Sequence, residues 1–154
     1  MAKGGIKINL KGFEKMLEDI QAAGKDADAA AAQAITESAQ VVDEELRAAT
    51  KYAGVPDDIT NAIRKKKTHE GDRYEAEVGW ELGTYNPKDP SAGYKAIFLN
   101  YGTVRRRTRR GFNRGAIPKR TTDQQFIYAA KKRSRAKVRK IQQEMLERAL
   151  RDLQ

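Results

Sequence analysis

GIKINLKGFEKMLEDI, Gly5 to Ile20, holds two periodicities in one short run. Ile6, Ile8 and Leu10 alternate with Lys7 and Asn9, the period of two that a half-buried strand requires. From Lys11 the apolar positions fall instead at steps of three and four, at Phe13, Leu17 and Ile20. A chain that changes period at its first apolar run joins a strand directly to a helix, and an α+β fold is predicted.

The helical stripe continues through Gly24, Ala27, Ala31, Ala34, Val41, Val42, Leu46 and Ala49, which predicts a long N-terminal helix with a break at Gly24. Its middle is nearly all Ala, so a partner element can approach closely there but buries little apolar area per residue. In PDDITNAIRKK, Asp57 after Pro56 is placed to cap a short helix, with Ile59 and Ile63 one turn apart. KKKTHEGDRYEAEVGWEL then alternates Tyr74, Ala76, Val78 and Trp80 with Glu75, Glu77 and Gly79 around a turn at Glu70-Gly71-Asp72, which reads as a hairpin. GTYNPKDPSAG is a loop by composition. YKAIFLNYGT, Tyr94 to Thr103, is the next compact run of large apolar residues. From Thr121 to Gln154 a stripe of Ile127, Ala130, Ser134, Val138, Ile141, Met145 and Ala149 predicts a C-terminal helix, with Thr122 and Gln125 spaced as a capping box. The expected architecture is one domain spanning residues 1–154, with a long N-terminal helix and a C-terminal helix packed on a small antiparallel sheet.

The residue inventory excludes much chemistry. Cys is absent and His69 is the single His, whereas a zinc site needs several nitrogen or sulfur ligands. Ser38, Ser91 and Ser134 sit in no nucleophile elbow, and Gly111-Phe-Asn-Arg-Gly115 lacks the spacing and the Lys-Ser/Thr of a phosphate-binding loop. Asp57-Asp58 and Glu75/Glu77 read as ordinary solvated acids. No enzyme, cofactor or metal is therefore expected. No run approaches the roughly 20 apolar residues of a membrane span, and MAKGGIKINL lacks the apolar core of a signal peptide. Of the 39% of residues that are hydrophobic, 22 residues are Ala, which is thin for a self-sufficient globule and favours burial between subunits.

Charge is divided along the chain. Residues 101–154 carry 17 Lys/Arg and 4 Asp/Glu, a net of +13, while residues 1–100 carry a net of −3. The densest stretch, TVRRRTRRGFNRGAIPKR from Thr103 to Arg120, holds Arg105, Arg106, Arg107, Arg109, Arg110, Arg114, Lys119 and Arg120 with no acid. Such a set cannot share a core, because each unpaired buried charge is prohibitively costly. Gly111, Gly115 and Pro118 oppose a helix, so a mobile loop over 103–120 is expected. Three roles are open to it: a solubilising loop, contact with DNA, or docking on acidic neighbouring subunits. Density favours a functional role, since like charges repel until an anion arrives. A free-standing small basic nucleic-acid-binding protein is the rival class, but it needs base-reading side chains or stacking platforms, and Phe112 alone is a weak one. Lys131, Lys132, Arg133, Arg135, Lys137, Arg139 and Lys140 crowd the first half of the C-terminal helix, where the macrodipole disfavours cations, and an external acidic partner explains this best.

In YKAIFLNYGT, residues Tyr94, Ala96, Phe98, Leu99, Tyr101, Gly102 and Thr103 match a Tyr-Ala-x-Phe-[Val/Leu]-Glu-[Phe/Tyr]-Gly-Thr pattern, with one extra residue between the first Tyr and the Phe. This pattern, and the order of elements over nearly the whole chain, resembles the siphophage tail-component family of head-tail joining and tail-completion proteins. Asn100 stands where that family usually carries Glu, and PKRTTDQQFIYAA replaces its Pro-rich link, echoed by Phe126-Ile127 and Ala129-Ala130. The resemblance implies a structural virion protein, made in the bacterial host cytoplasm and located in the neck. It would form a homo-oligomeric ring, hexameric or dodecameric, against neighbouring neck and tail-tube proteins, with genomic DNA in the channel as a non-specific contact. Under that resemblance Gly102 suits a positive φ, Phe98, Tyr101 and Trp80 are expected core anchors, and Glu75, Glu77 and Glu81 are candidates to face a neighbour's arginines.

Limited trypsin digestion of the isolated subunit is expected to cut first between Thr103 and Arg120. Uniform resistance across those arginines would mean that they are already packed or paired.

Overall fold

The computed structural model describes residues 4–71, 73–102 and 124–152. Strand β1 (Gly5–Asn9) leads into helix α1 (Glu14–Ala22), and α2 (Ala27–Tyr52) follows after a break at Gly24. Gly24 has φ of +78°, which ends α1, and the Asp26 carboxylate accepts the Ala29 N–H at 3.0 Å to start α2. The break falls at Gly24, where the sequence placed it. Helix α3 (Asp57–Thr60) precedes the hairpin of β2 (Arg64–Glu70) and β3 (Arg73–Gly79), then come α4 (Ala92–Tyr101) and α5 (Phe126–Arg151). The α+β class holds.

The three strands are antiparallel in the order β1-β3-β2. Ile6, Ile8, Ala76, Val78 and Trp80 are buried on one side of the sheet, beneath α2. On that side Lys65 donates to Gln40 at 2.6 Å and Lys67 to Thr36 at 3.0 Å, so the basic strand β2 is fastened to α2 by polar contacts. The opposite side carries Lys7, Glu77 and Lys66 in one row across the three strands, an alternation suited to water. In the next row on that side, paired with Gly5 and Arg64, Gly79 is required by contact: a Cβ there would lie 2.2 Å from the Gly4 carbonyl oxygen.

Helix α5 lies antiparallel along α2. Ala34, Ser38, Ala49, Ala130 and Ser134 are all buried, and the Ser38 hydroxyl folds back onto the Ala34 carbonyl at 2.6 Å, leaving the seam smooth. Lys137 pairs with Glu45 across the two helices. Beside Glu45 on α2, Arg47 bonds Asp43 at 3.0 Å and reaches the carbonyls of Thr60 and Ile63, both at 3.3 Å. Trp80 donates its indole N–H to the Ile59 carbonyl at 2.7 Å. These contacts fix α3, whose cap is Pro56; Asp57 is the first helical residue and forms no side-chain cap bond, contrary to the sequence expectation.

The start of α5 also differs from the sequence expectation. Gln125 occupies the cap position without a side-chain cap bond, and Thr122 lies outside the described residues. Instead Asn100, near the end of α4 and fully buried, accepts the Ile127 N–H with its side-chain oxygen at 3.1 Å. An acceptor from a different helix performs the capping, because Ile127 is the second helical residue and its N–H has no intrahelical partner.

Asn100→Ala is expected to lose about 1–3 kcal/mol of folding stability, the cost of an uncapped, buried helix start. Tyr52, at 89% exposed, serves as the control, and Tyr52→Ser should shift stability by less than about 0.5 kcal/mol. Urea denaturation of both variants checks this, and equal midpoints would dismiss the capping role.

Candidate interaction surfaces

The motif run Tyr94 to Tyr101 folds as α4, and its sequence dictates an unusual packing. Only Gly93, Ala96 and Asn100 of this helix are buried, the small and polar positions, while its large apolar residues stand at the margin. Gly93 is pressed so closely on the chain leaving β3 that a Cβ would lie 2.6 Å from the Glu81 carbonyl oxygen. Ser91 donates to the Leu82 carbonyl at 3.0 Å and holds the helix start to the same segment. Gly102 ends the helix with φ of +85°, the positive value expected of it.

Of the expected core anchors, Trp80 is buried and packs edge-on against Phe126 with centroids 6.1 Å apart. Phe98 is half-buried, and Tyr101 is 39% exposed. The correction has a simple cause: the small residues of α4 face inward, so its aromatics are turned outward. Tyr94 and Phe98 form a cluster with Tyr85, at centroid distances of 4.9 Å for Tyr85 to Tyr94 and 6.2 Å for Tyr85 to Phe98. Thr103 and the basic set Arg105, Arg106, Arg107, Arg109, Arg110, Arg114, Lys119 and Arg120 lie outside the described residues.

Helix α5 sorts its cations by direction. Lys137 is paired with Glu45, and Lys140 stands 4.0 Å from Glu144. Lys132 and Arg133 border a surface recess with Tyr128. Lys131, Arg135 and Arg139 point to the opposite side, where with Lys7 and Lys11 they line a groove of about 430 Å³ between β1 and α5. Its floor is Ile6, Ile8, Val42 and Val138, and among the described residues no carboxylate lines it. The Arg139 guanidinium lies over the Phe13 ring, 5.4 Å from the centroid, which holds one wall in place. Sequence periodicity had grouped the α5 cations but not Lys7 and Lys11; only the return of α5 alongside β1 joins them.

Elsewhere the polar groups are ordinary. His69 lies near the end of β2, stacked on Tyr74 with ring centroids 4.2 Å apart. Glu75 is paired with Arg73 of its own strand at 3.6 Å. Among the described residues no group of three or more His, Asp or Glu is placed to hold a metal ion, and no helix is long and apolar enough to cross a membrane.

The chain has no significant match among curated proteins or among solved structures. Its residues 14–102, from the start of α1 through Gly102, match the family described as bacteriophage HK97-gp10-like tail component. The match covers more than half of the chain and closes on the Tyr-Gly that ends α4, so the motif and the order of elements converge on one assignment. The chain belongs to the HK97-gp10-like family of bacteriophage tail components.

Proposed function

We propose that this protein is a structural component of the phage neck, a ring of identical subunits that completes the tail and joins it to the DNA-filled head. The family match over α1 to α4 carries the reading. The charge division supports it: a −3 segment and a +13 segment on one chain suit head-to-tail contact between successive copies, and heterologous contacts of that kind close into rings when the rotation permits. The outward aromatics of α4 add apolar surface of the sort that subunit contacts use. In this reading Arg105, Arg106, Arg107, Arg109 and Arg110 dock on an acidic face of a neighbouring subunit or of the adjoining ring, and Glu75, Glu77 and Glu81 offer one such face.

Light scattering at low salt should give a mass that is a closed multiple of the 17.3 kDa subunit, alone or with tail-tube protein added. A strict monomer under both conditions would overturn the ring.

Replacing the five arginines from Arg105 to Arg110 by Gln should leave the subunit folded and abolish joining of heads to tails, counted by electron microscopy of the mutant phage. Normal joining would reject the docking role. If the same arginines touch DNA in the channel, affinity should ignore sequence, and the slope of log K against log salt should flatten by roughly 4 to 5 on their loss, at about 0.9 per phosphate.

A further inference from the structure

The groove between β1 and α5 has a chemistry that a ring contact through the arginine stretch leaves unused. We propose that it receives an extended, acid-rich segment of a partner protein, which adds as a fourth strand beside β1 and sets its carboxylates against Lys131, Arg135 and Arg139.

The groove runs along a strand edge. Among the described residues β1 pairs only with β3, and Gln142 of α5 reaches its other edge. Ile6, Lys7, Ile8 and Asn9 all line the groove. Successive side chains of a strand point to opposite faces, so a cavity touched by four residues in a row lies along the edge. The Gln142 amide already donates to the Asn9 carbonyl at 3.0 Å, the contact that an added strand would make. Backbone groups two residues apart on a strand point the same way, so Lys7 presents its N–H and C=O on that same edge.

The cations supply the partner's charge and spacing. None of Lys7, Lys11, Lys131, Arg135 and Arg139 enters an ion pair among the described residues. Lys131, Arg135 and Arg139 recur every fourth residue, about 6 Å apart along the helix axis. Alternate residues of a strand are about 6.6 Å apart, so acids at every second position match the three cations in turn. The apolar floor suits the side chains between them.

A second copy does not fit this site. The chain's own acid-bearing strand, β3, is paired on both sides, and its stretch from Thr103 to Arg120 has the wrong charge. Nucleic acid is disfavoured because none of the described residues lining the groove is an aromatic that could stack a base, and a strand edge offers it nothing. The proposal stands whether or not the subunit closes a ring.

The test uses the full-length protein and three fluorescein-labelled probes: a nine-residue peptide with Glu at alternate positions between Val and Thr, a peptide of the same composition with its acids in one block, and a nine-nucleotide oligo(dT). Fluorescence anisotropy should show the alternating peptide binding at least tenfold more tightly than the other two. Lys131→Gln with Arg135→Gln should weaken it at least tenfold with the thermal melt unchanged, since both positions are exposed and Arg139 is left on Phe13. Lys132→Gln, outside the groove, should leave binding unchanged. N-methylation of the alternating peptide on its β1-facing amides should abolish binding, which ion pairing alone would not. Equal affinity for the two peptides, tighter binding of oligo(dT), or indifference to N-methylation would each overturn the proposal.

Discussion

The close approach of α2 and α5 is the constraint from which the rest follows. α2 is buried on two sides, by the sheet and by α5, and a helix so enclosed can bring its second neighbour near only if the intervening side chains are small. Ala34, Ser38 and Ala49 on α2, with Ala130 and Ser134 on α5, provide this. These small positions gain little apolar area, and larger apolar groups complete the core: Phe126 and Ile127 at one end, Val42 and Leu46 within, and Ile20 and Phe13 where α1 closes the other end. The Lys137–Glu45 pair and the Gln142–Asn9 bond then fix the sliding position of α5, which a smooth seam leaves weakly specified.

Much of this was legible because it is periodic. The change of period at Leu10, the alternation at Tyr74 to Trp80 and the α5 stripe are local patterns, and each yielded its element. The positive φ of Gly102 was legible because few other residues tolerate it. Tyr101 and Phe98 were misplaced because aromatic residues are ordinarily the buried ones; the decisive fact was the contact of Gly93 with the Glu81 carbonyl, a tertiary approach that no local pattern encodes. The capping of α5 failed to appear for the same reason. Thr122 and Gln125 had the spacing of a capping box, but the acceptor comes from another helix, and an Asn inside an apolar run was its only trace. Of the candidate site, the charge of α5 could be read along the sequence, whereas its division into paired and groove-facing cations required the fold.

That division explains a helix charged against its dipole. Cations in the first half of α5 face the positive end of the macrodipole, and neighbours four apart repel one another. Each penalty is a few tenths of a kcal/mol, and burial of Phe126, Ile127, Ala130 and Leu146 outweighs their sum. A helix held by tertiary packing can therefore carry a cationic face that an isolated helix could not. The strand β2 does likewise: Arg64, Lys65, Lys66 and Lys67 are all exposed on the outer edge of the sheet, where lysines discourage unwanted strand pairing.

The two edges of the sheet thereby acquire opposite characters. The β2 edge is exposed and lined with its own lysines, so an incoming strand meets repulsion. The β1 edge is set back beneath α5, with an apolar floor and cations on the facing wall. Asn100 takes part in this arrangement, since the acceptor it gives to Ile127 ties the start of α5 to the end of α4. The neutral Asn supplies this acceptor from a fully buried position without the cost of burying a carboxylate there.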